Sequence, residues 1–294
     1  MSDSDNDYLY RFVFEQFGVR GEFVCLGSSW QAVLERHDYP KPVEQQLGKA
    51  LTSVLLLSGT IKFKGSLVLQ LQGDGQLSSL VAQATEQRTL RGMARFDEAL
   101  RLREPSEPSQ LFGRANLVLT AEAPSGERYQ GIVPVEGGDM AAAVEGYFVQ
   151  SEQLPTRLWL AADEQHAAGL FLQRLPQTDE HDDEHWERVC MLADTIKDEE
   201  LLQLDAREVL HRLFHEEDLR LFEPEPVAFR CACSRERIGE ALVSMGEGEV
   251  AQMLEEMGSI EVDCEFCNAH YSFDLVDAAA LFAGAAGDAP SSVQ

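Results

Sequence analysis

Basic residues are scarce in this chain. It carries 24 lysines and arginines against 51 aspartates and glutamates, a formal net charge of -27, so most of its surface repels polyphosphate and general nucleic-acid binding is excluded. Long apolar runs are missing as well. The stretch from Ala50 to Ile61 is broken by Thr52, Ser53 and Ser58 and falls short of the roughly 20 residues that span a bilayer, so no membrane segment is expected. The N-terminal Met1-Ser2-Asp3-Ser4-Asp5-Asn6-Asp7 is acidic where a secretory leader is basic and then apolar, and no Arg-rich presequence follows. The expected compartment is the cytoplasm. Gly73-Asp74-Gly75 lacks the third glycine of a dinucleotide loop, and neither Gly-Lys-Ser/Thr nor Gly-x-Ser-x-Gly occurs, so neither nucleotide use nor elbow-type hydrolysis is supported. Cysteine is sparse too. Six in a reducing compartment call for a metal, a redox or a packing explanation rather than structural disulfides.

What is present describes a folded chain of about two domains, with 44% hydrophobic and 26% charged residues in 294. Tyr8, Tyr10, Phe12 and Phe14 share one side of an extended segment, which predicts a strand with an aromatic face. A turn is expected from Gly18 to Gly21, then an apolar run from Phe23 to Leu26. A helix is predicted from Pro42, with Val43, Leu47, Leu51, Val54 and Leu55 on its core side. Alternation from Ile61 to Leu71 predicts a strand that stops at Gly73, and a second alternating region runs to Phe96. Two runs between Ala115 and Val135 flank Pro124-Ser125-Gly126 as a hairpin, and Asp139 is the expected N-cap of a helix whose apolar face includes Met140, Val144 and Phe148. Arg157 to Ala161 and Gly169 to Leu175 are too close in sequence for a parallel crossover and predict an antiparallel pair.

Composition then changes. Twelve acidic and three basic residues lie between Asp179 and Glu208. Trp186, Val189, Cys190 and Ala193 share one helical face, and Leu202, Val209, Leu210, Leu213 and Phe214 predict a second amphipathic helix begun near Asp198. Side chains so alike in charge repel one another, so this linker depends on packing one stripe against a neighbour and is only conditionally stable. Pro224 and Pro226 close it. From Val227 to Phe282 the chain has too little apolar content to fold alone, the size class that relies on a metal or a disulfide. Beyond Phe282 a short Ala/Gly-rich tail is expected to be mobile.

That small module holds four of the six cysteines, as Cys231-Ala232-Cys233 and Cys264-Glu265-Phe266-Cys267. Two close pairs that can fold back on each other predict a tetrahedral four-thiolate zinc site, closed to substrate water and hence structural or switching rather than hydrolytic. The one-residue spacing of the first pair departs from the usual ribbon. Arg230, Arg235 and Arg237 beside it are candidates to stabilise thiolates. Clustered thiolates are oxidisable, and oxidation removes the ligands of a site that holds its module folded. A permanently reduced knuckle fits the spacing equally well. Cys25 and Cys190, on apolar faces, are expected to be buried small hydrophobes. His211 and His215 lack the glutamate of a metalloprotease helix and are read as linker-face residues, and His270 as a neighbour rather than a ligand of the cysteines. Two other functions compete. Cys264-x-x-Cys267 has the spacing of a thiol-disulfide oxidoreductase, and a zinc-ribbon nucleic-acid adaptor would need a basic face that the acidic surroundings of these arginines do not supply.

Phe229-Arg230-Cys231-Ala232-Cys233-Ser234-Arg235-Glu236-Arg237 and Ile260-Glu261-Val262-Asp263-Cys264-Glu265-Phe266-Cys267-Asn268 resemble the zinc-binding redox switch of the thirty-three-kilodalton heat-shock chaperonin family. Tyr129-Gln130-Gly131-Ile132-Val133-Pro134 and the segment from Tyr147 to Thr156 are similar to other segments of that family, and the resemblance covers nearly the whole chain. It implies an α+β core domain over 1–177 with layered, largely antiparallel sheets and helices, an acidic helical linker over 178–226, a zinc-binding redox-switch domain over 227–282 and a mobile tail over 283–294. It further implies one zinc ion per reduced chain on Cys231, Cys233, Cys264 and Cys267, and redox-active disulfides Cys231–Cys233 and Cys264–Cys267 after oxidation. The activity implied is that of an ATP-independent holdase rather than an enzyme, inactive while reduced and dimeric when active, with unfolding proteins as its partners and no nucleic acid, membrane or nucleotide. The linker stripe of Leu202, Val209, Leu210, Leu213 and Phe214 is the expected client surface.

Overall fold

The alternation at Tyr8, Tyr10, Phe12 and Phe14 forms β1 (Tyr8–Phe14) in the computed structural model of the chain, which describes residues 7–60, 65–101, 108–135, 140–176 and 182–287. Its hairpin partner is β2 (Val19–Leu26). Gly21, expected in a turn, lies inside β2 instead: it pairs with Phe12, whose ring occupies the space a Cβ at Gly21 would need. After α1 (Ser28–Leu34) comes α2 (Lys41–Thr60), the helix anticipated from Pro42. Then follow β3 (Ser66–Gly73), β4 (Leu77–Thr85) and β5 (Thr89–Phe96), so the second alternating region is two strands joined by a tight turn. Ile61 and Phe63 of the anticipated strand lie outside the described residues, as does the expected N-cap Asp139.

The short α3 (Pro108–Phe112) leads to the anticipated hairpin of β6 (Ala115–Glu122) and β7 (Arg128–Val135). Next come α4 (Met140–Tyr147), continued by a π-helical turn over Phe148–Glu152, and the antiparallel pair β8 (Thr156–Ala162) and β9 (Ala167–Arg174). The acidic segment forms α5 (Asp182–Ala193), α6 (Asp198–Gln203) and α7 (Ala206–Phe214). The single helix expected from Asp198 is thus two. Leu204 is extended, and Asp205 accepts the Glu208 N–H and caps a fresh helix. Three very short strands end this unit: β10 (Leu219–Leu221), β11 (Glu225–Pro226) and β12 (Ala228–Phe229).

Strands β10, β1, β2, β9 and β8 form the first sheet in that order, with β11 also on β1; β12, β5, β4, β3, β6 and β7 form the second. Among the described residues every pairing in these two sheets is antiparallel except that of β12 with β5. Helix α2 lies between the sheets, in a core with Leu9, Val24 and Phe171 of one and Leu67, Leu69, Leu80 and Leu119 of the other. Its buried hydroxyls are satisfied locally, as Thr52 and Ser58 donate to the carbonyls of Gly48 and Leu55. Gly48 allows close approach, since a Cβ there would meet the Ala162 methyl at 2.6 Å. The opposite face of the first sheet carries Phe12, Phe14, Phe23, Leu170 and Leu172, and α5 to α7 cover it with Val189, Ala193, Leu201, Val209, Leu210, Leu213 and Phe214. This is why β9 reads as a continuous apolar run: it is buried on both faces.

The chain divides into two compact units between Arg230 and Cys231. Residues 227–230, assigned by composition to the cysteine module, belong to the first: Val227 is buried in its core and β12 pairs with β5. The second unit comprises α8 (Arg235–Met245), α9 (Glu247–Met257), the hairpin of β13 (Ile260–Asp263) and β14 (His270–Phe273), and α10 (Leu275–Gly287). Helix α10 continues into the segment expected as a tail, in keeping with the helix propensity of its alanines. Among the described residues no helix is long and apolar enough to cross a membrane.

Candidate metal centre

The four cysteines come from two short connections. Cys231 and Cys233 lie on the extended segment before α8, whose N-cap Ser234 accepts the Arg237 N–H at 3.3 Å. Cys264 to Cys267 form the turn between β13 and β14. There the N–H groups of Cys267 and Asn268 donate to the Cys264 carbonyl at 3.2 and 2.7 Å, and Cys264 donates to Ala269 at 3.0 Å. Asn268 takes the left-handed conformation, φ 57°, that lets the chain reverse so tightly.

This folding brings all four sulfurs within 4.8 Å of one another. Cys231 Sγ lies 3.7 Å from Cys264 Sγ, and Cys233 Sγ 3.3 Å from Cys267 Sγ. A tetrahedral zinc with Zn–S bonds of about 2.3 Å requires sulfurs about 3.8 Å apart, so the spacing suits that ion. The donor chemistry points the same way. Burial opposes the Cys231 thiolate, but the Cys233 N–H and the neighbouring sulfurs outweigh it and bring this thiol down to about 7. Burial and the adjoining sulfurs push Cys264 and Cys267 upward. A cation among the four sulfurs would stabilise their thiolate forms. The residues fit zinc.

The arginines are used differently from expectation. Arg235 donates to the Ser272 carbonyl at 2.7 Å, pairs with Asp277 at 2.7 Å and lies over the Phe273 ring, clamping α8 to β14 and α10. Arg237 donates to the Ala232 carbonyl at 2.9 Å and braces the Cys231–Cys233 loop. Arg230 belongs to the first unit, its N–H bonded to Leu90. Sulfur is instead met by backbone N–H groups and by one side chain that sequence reasoning missed: the Tyr271 hydroxyl, 3.2 Å from Cys233 Sγ. Its one sequence signal is its place on the strand just after Cys267.

His270 is outside the tetrad, its ring nitrogens 2.7 Å from Asp263 and 2.8 Å from Glu261. Cys25 and Cys190 are inert by environment, since burial pushes each thiol up to about 12. His211 on α7 and His215 at its C-cap sit one turn apart with their rings in edge contact. Leu202, Val209, Leu210, Leu213 and Phe214 are all buried against the first sheet, where Phe214 meets Phe14 edge-on with ring centroids 5.2 Å apart.

The family model described as Hsp33 protein matches residues 7–274. A 33 kDa chaperonin of Nitrosococcus oceani is 53% identical over 279 residues, covering 95% of each chain. One of Pseudomonas savastanoi is 47% identical over 292 residues, covering 98% of this chain and 97% of its own. The crystal structure of a 33 kDa chaperonin from Thermotoga maritima superposes with a TM-score of 0.82 over 97% of this chain and 100% of its own, at 24% identity, a likeness of fold.

Proposed function

The chain belongs to the Hsp33 family, and from that premise we propose that it is a redox-switched, ATP-independent holdase of the cytoplasm. The observation that carries this reading is the meeting of four oxidisable sulfurs in a unit that has little else to hold it. Among the described residues its core contains six buried apolar residues, Leu242, Val250, Leu254, Ile260, Phe273 and Ala278, with only partly buried neighbours packed on them. Zinc, when bound, keeps the four sulfurs together as thiolates and contributes binding energy to the fold, roughly 10 to 16 kcal/mol in modules of this class. Oxidation to the disulfides Cys231–Cys233 and Cys264–Cys267 consumes all four ligands, and so small a core does not keep its shape without them.

The second part of the switch is the acidic layer of α5 to α7. It joins the cysteine unit through β10 to β12, each of only two or three residues. An unfolded unit no longer constrains these strands, and the helices leave the sheet. Two apolar surfaces are then freed together, the stripe Leu202, Val209, Leu210, Leu213 and Phe214 and the sheet face Phe12, Phe14 and Phe23. Either binds unfolding clients by burial of apolar area, without nucleotide. The active form is a homodimer.

Light scattering of a chemically unfolded client tests this reading, with the protein either reduced and zinc-loaded or oxidised with peroxide at mildly raised temperature. Aggregation suppressed only by the oxidised form is the expected result. Equal suppression by both forms overturns the redox switch.

A further inference from the structure

The four sulfurs differ in what donates to them. Backbone N–H groups lie beside three of them, that of Cys233 by Cys231, those of Phe266 and Cys267 by Cys264, and that of Ala269 by Cys267. These donors are backbone and come with the turn itself. The donor to Cys233 is a side chain, the hydroxyl of Tyr271 at 3.2 Å. Tyr271 is half-buried on β14 opposite Val262, and its ring packs on the small core, so the hydroxyl is held in place rather than free to swing.

We propose that Tyr271 is a positioning residue that shields Cys233 from oxidants and thereby sets the peroxide threshold of the centre. The inference rests on the zinc-thiolate reading above. A thiolate attacks hydrogen peroxide through its lone pair: the S–O bond forms, the O–O bond breaks, and sulfenic acid and hydroxide result. A second thiolate then displaces hydroxide from the sulfenic sulfur, and the disulfide forms. Peroxide takes up the two electrons that the two sulfurs lose. In the first step charge leaves sulfur for the departing oxygen, so a hydrogen bond that stabilises the thiolate weakens on the way to the transition state and slows attack. At Cys233 a phenolic oxygen supplies such a brake, and a substitution removes it without disturbing the ring.

The test is Tyr271→Phe in the full-length, reduced, zinc-loaded protein. Three quantities are followed: zinc release to a chromogenic chelator after peroxide addition, zinc transfer to the same chelator without peroxide, and the site of first modification, trapped with a sulfenic-acid probe and mapped by mass spectrometry. The variant should release zinc roughly five- to tenfold faster with peroxide, the share of a charge-assisted hydrogen bond given up in the attack. It should transfer zinc at the wild-type rate without peroxide and show early modification shifted toward Cys233. A ring-fluorinated tyrosine at 271, a stronger donor assayed where it stays protonated, should slow release. Equal peroxide-driven rates and equal labelling in wild type and variant overturn the proposal, and so does a variant that loses zinc faster with and without peroxide alike. Wild-type protein that holds no zinc, or keeps it under peroxide, overturns the functional reading itself.

Discussion

Helix α2 and helices α5 to α7 cover opposite faces of one sheet with opposite chemistry. Fourteen of the twenty residues of α2 are buried, so it has almost no solvent face and cannot leave without dissolving the core between both sheets. The outer cover consists of three short helices of 12, 6 and 9 residues. Each is apolar on one side only, with acidic groups turned to water. Short helices with one buried stripe draw their stability from the surface they rest on. Under the proposed switch the sheet therefore has one permanent cover and one removable cover, and the removable one leads by chain to the unit that contains the four clustered cysteines. A switch needs this asymmetry, since an element that opens has to come from the low end of the local stability scale.

The largest effect expected is at the cysteines. Cys267→Ser removes one of the four proposed zinc ligands and with it a large share of the metal-coupled stability, which for a complete site of this class is on the order of 10 kcal/mol. Amide exchange should then become fast throughout α8 to α10 and the β13–β14 hairpin, while α2 keeps its protection. A hairpin that stays protected in zinc-free protein would show that the six-residue core suffices by itself. Next in size is a matched pair, Leu51→Ala in α2 and Phe214→Ala in α7, each removing a fully buried side chain at a cost of about 3 to 5 kcal/mol. The costs should appear in different places. Leu51→Ala should lower the global melting temperature. Phe214→Ala should speed exchange only in α5 to α7 and raise hydrophobic-dye binding by the reduced protein. Equal global destabilisation by both would mean that the outer cover is as permanent as the inner one.

How far this asymmetry was legible in the sequence depends on the kind of signal. The core helix from Pro42, the aromatic side of β1, the hairpins and the two cysteine pairs are local patterns, and the structure has them where their periods and spacings pointed. The acidic amphipathic helices were legible too, but not what they rest on. That the face of Phe12 and Phe14 is the floor beneath Phe214 is a pairing of residues 200 or more positions apart in sequence, with no local trace. Gly21 read as a turn because a glycine signals flexibility until the Phe12 ring across the strand is known. The strands β10 to β12 escaped because two or three residues carry no period. At the candidate metal centre the four cysteines that meet were legible from spacing, whereas Arg235 and Arg237 were assigned to thiolates by proximity in sequence. Their actual partners, Asp277, Ser272 and Ala232, and the donor Tyr271 exist only once the hairpin folds back.

The inner face has its own weak point, and its effect is next in size. Glu22 on β2 is 2% exposed, and its Oε2 is buried without a hydrogen-bond partner beside Gly59 of α2. Burial pushes this carboxyl up to about 8, against the pull of Arg20, Arg88 and Arg11 and with a small push from Glu225. The fold thus prefers the neutral acid. Stability from this site is fully present below the unfolded value near 4.5 and is lost as pH rises through about 8. Glu22→Gln should remove that slope, leaving the variant about 2 to 4 kcal/mol more stable than wild type at pH 9 and nearly equal to it at pH 4.5. Chemical denaturation across that range checks it. A stability difference independent of pH would show that Glu22 is not the titrating group.

The smallest effect sharpens the contrast between the covers by separating charge from packing. Arg188 on α5 pairs at 2.7 Å with Glu217, just beyond α7, and so ties the first and last helices of the removable layer together. The Arg188 side chain is 48% exposed, which limits the pair to about 1 kcal/mol or less. Arg188→Met keeps an apolar stem of similar length and deletes the charge, including the guanidinium that lies over the Phe17 ring. Exchange in α5 and α7 should quicken by up to roughly fivefold at low salt, with α2 unaffected. The gap between variant and wild type should close near 1 M salt, where the screening length falls to about 3 Å. A gap that persists at high salt would assign the hold on α5 to the packing of Val189 and Ala193, and the removable cover would then be fastened by the same force as the permanent one, only over less area.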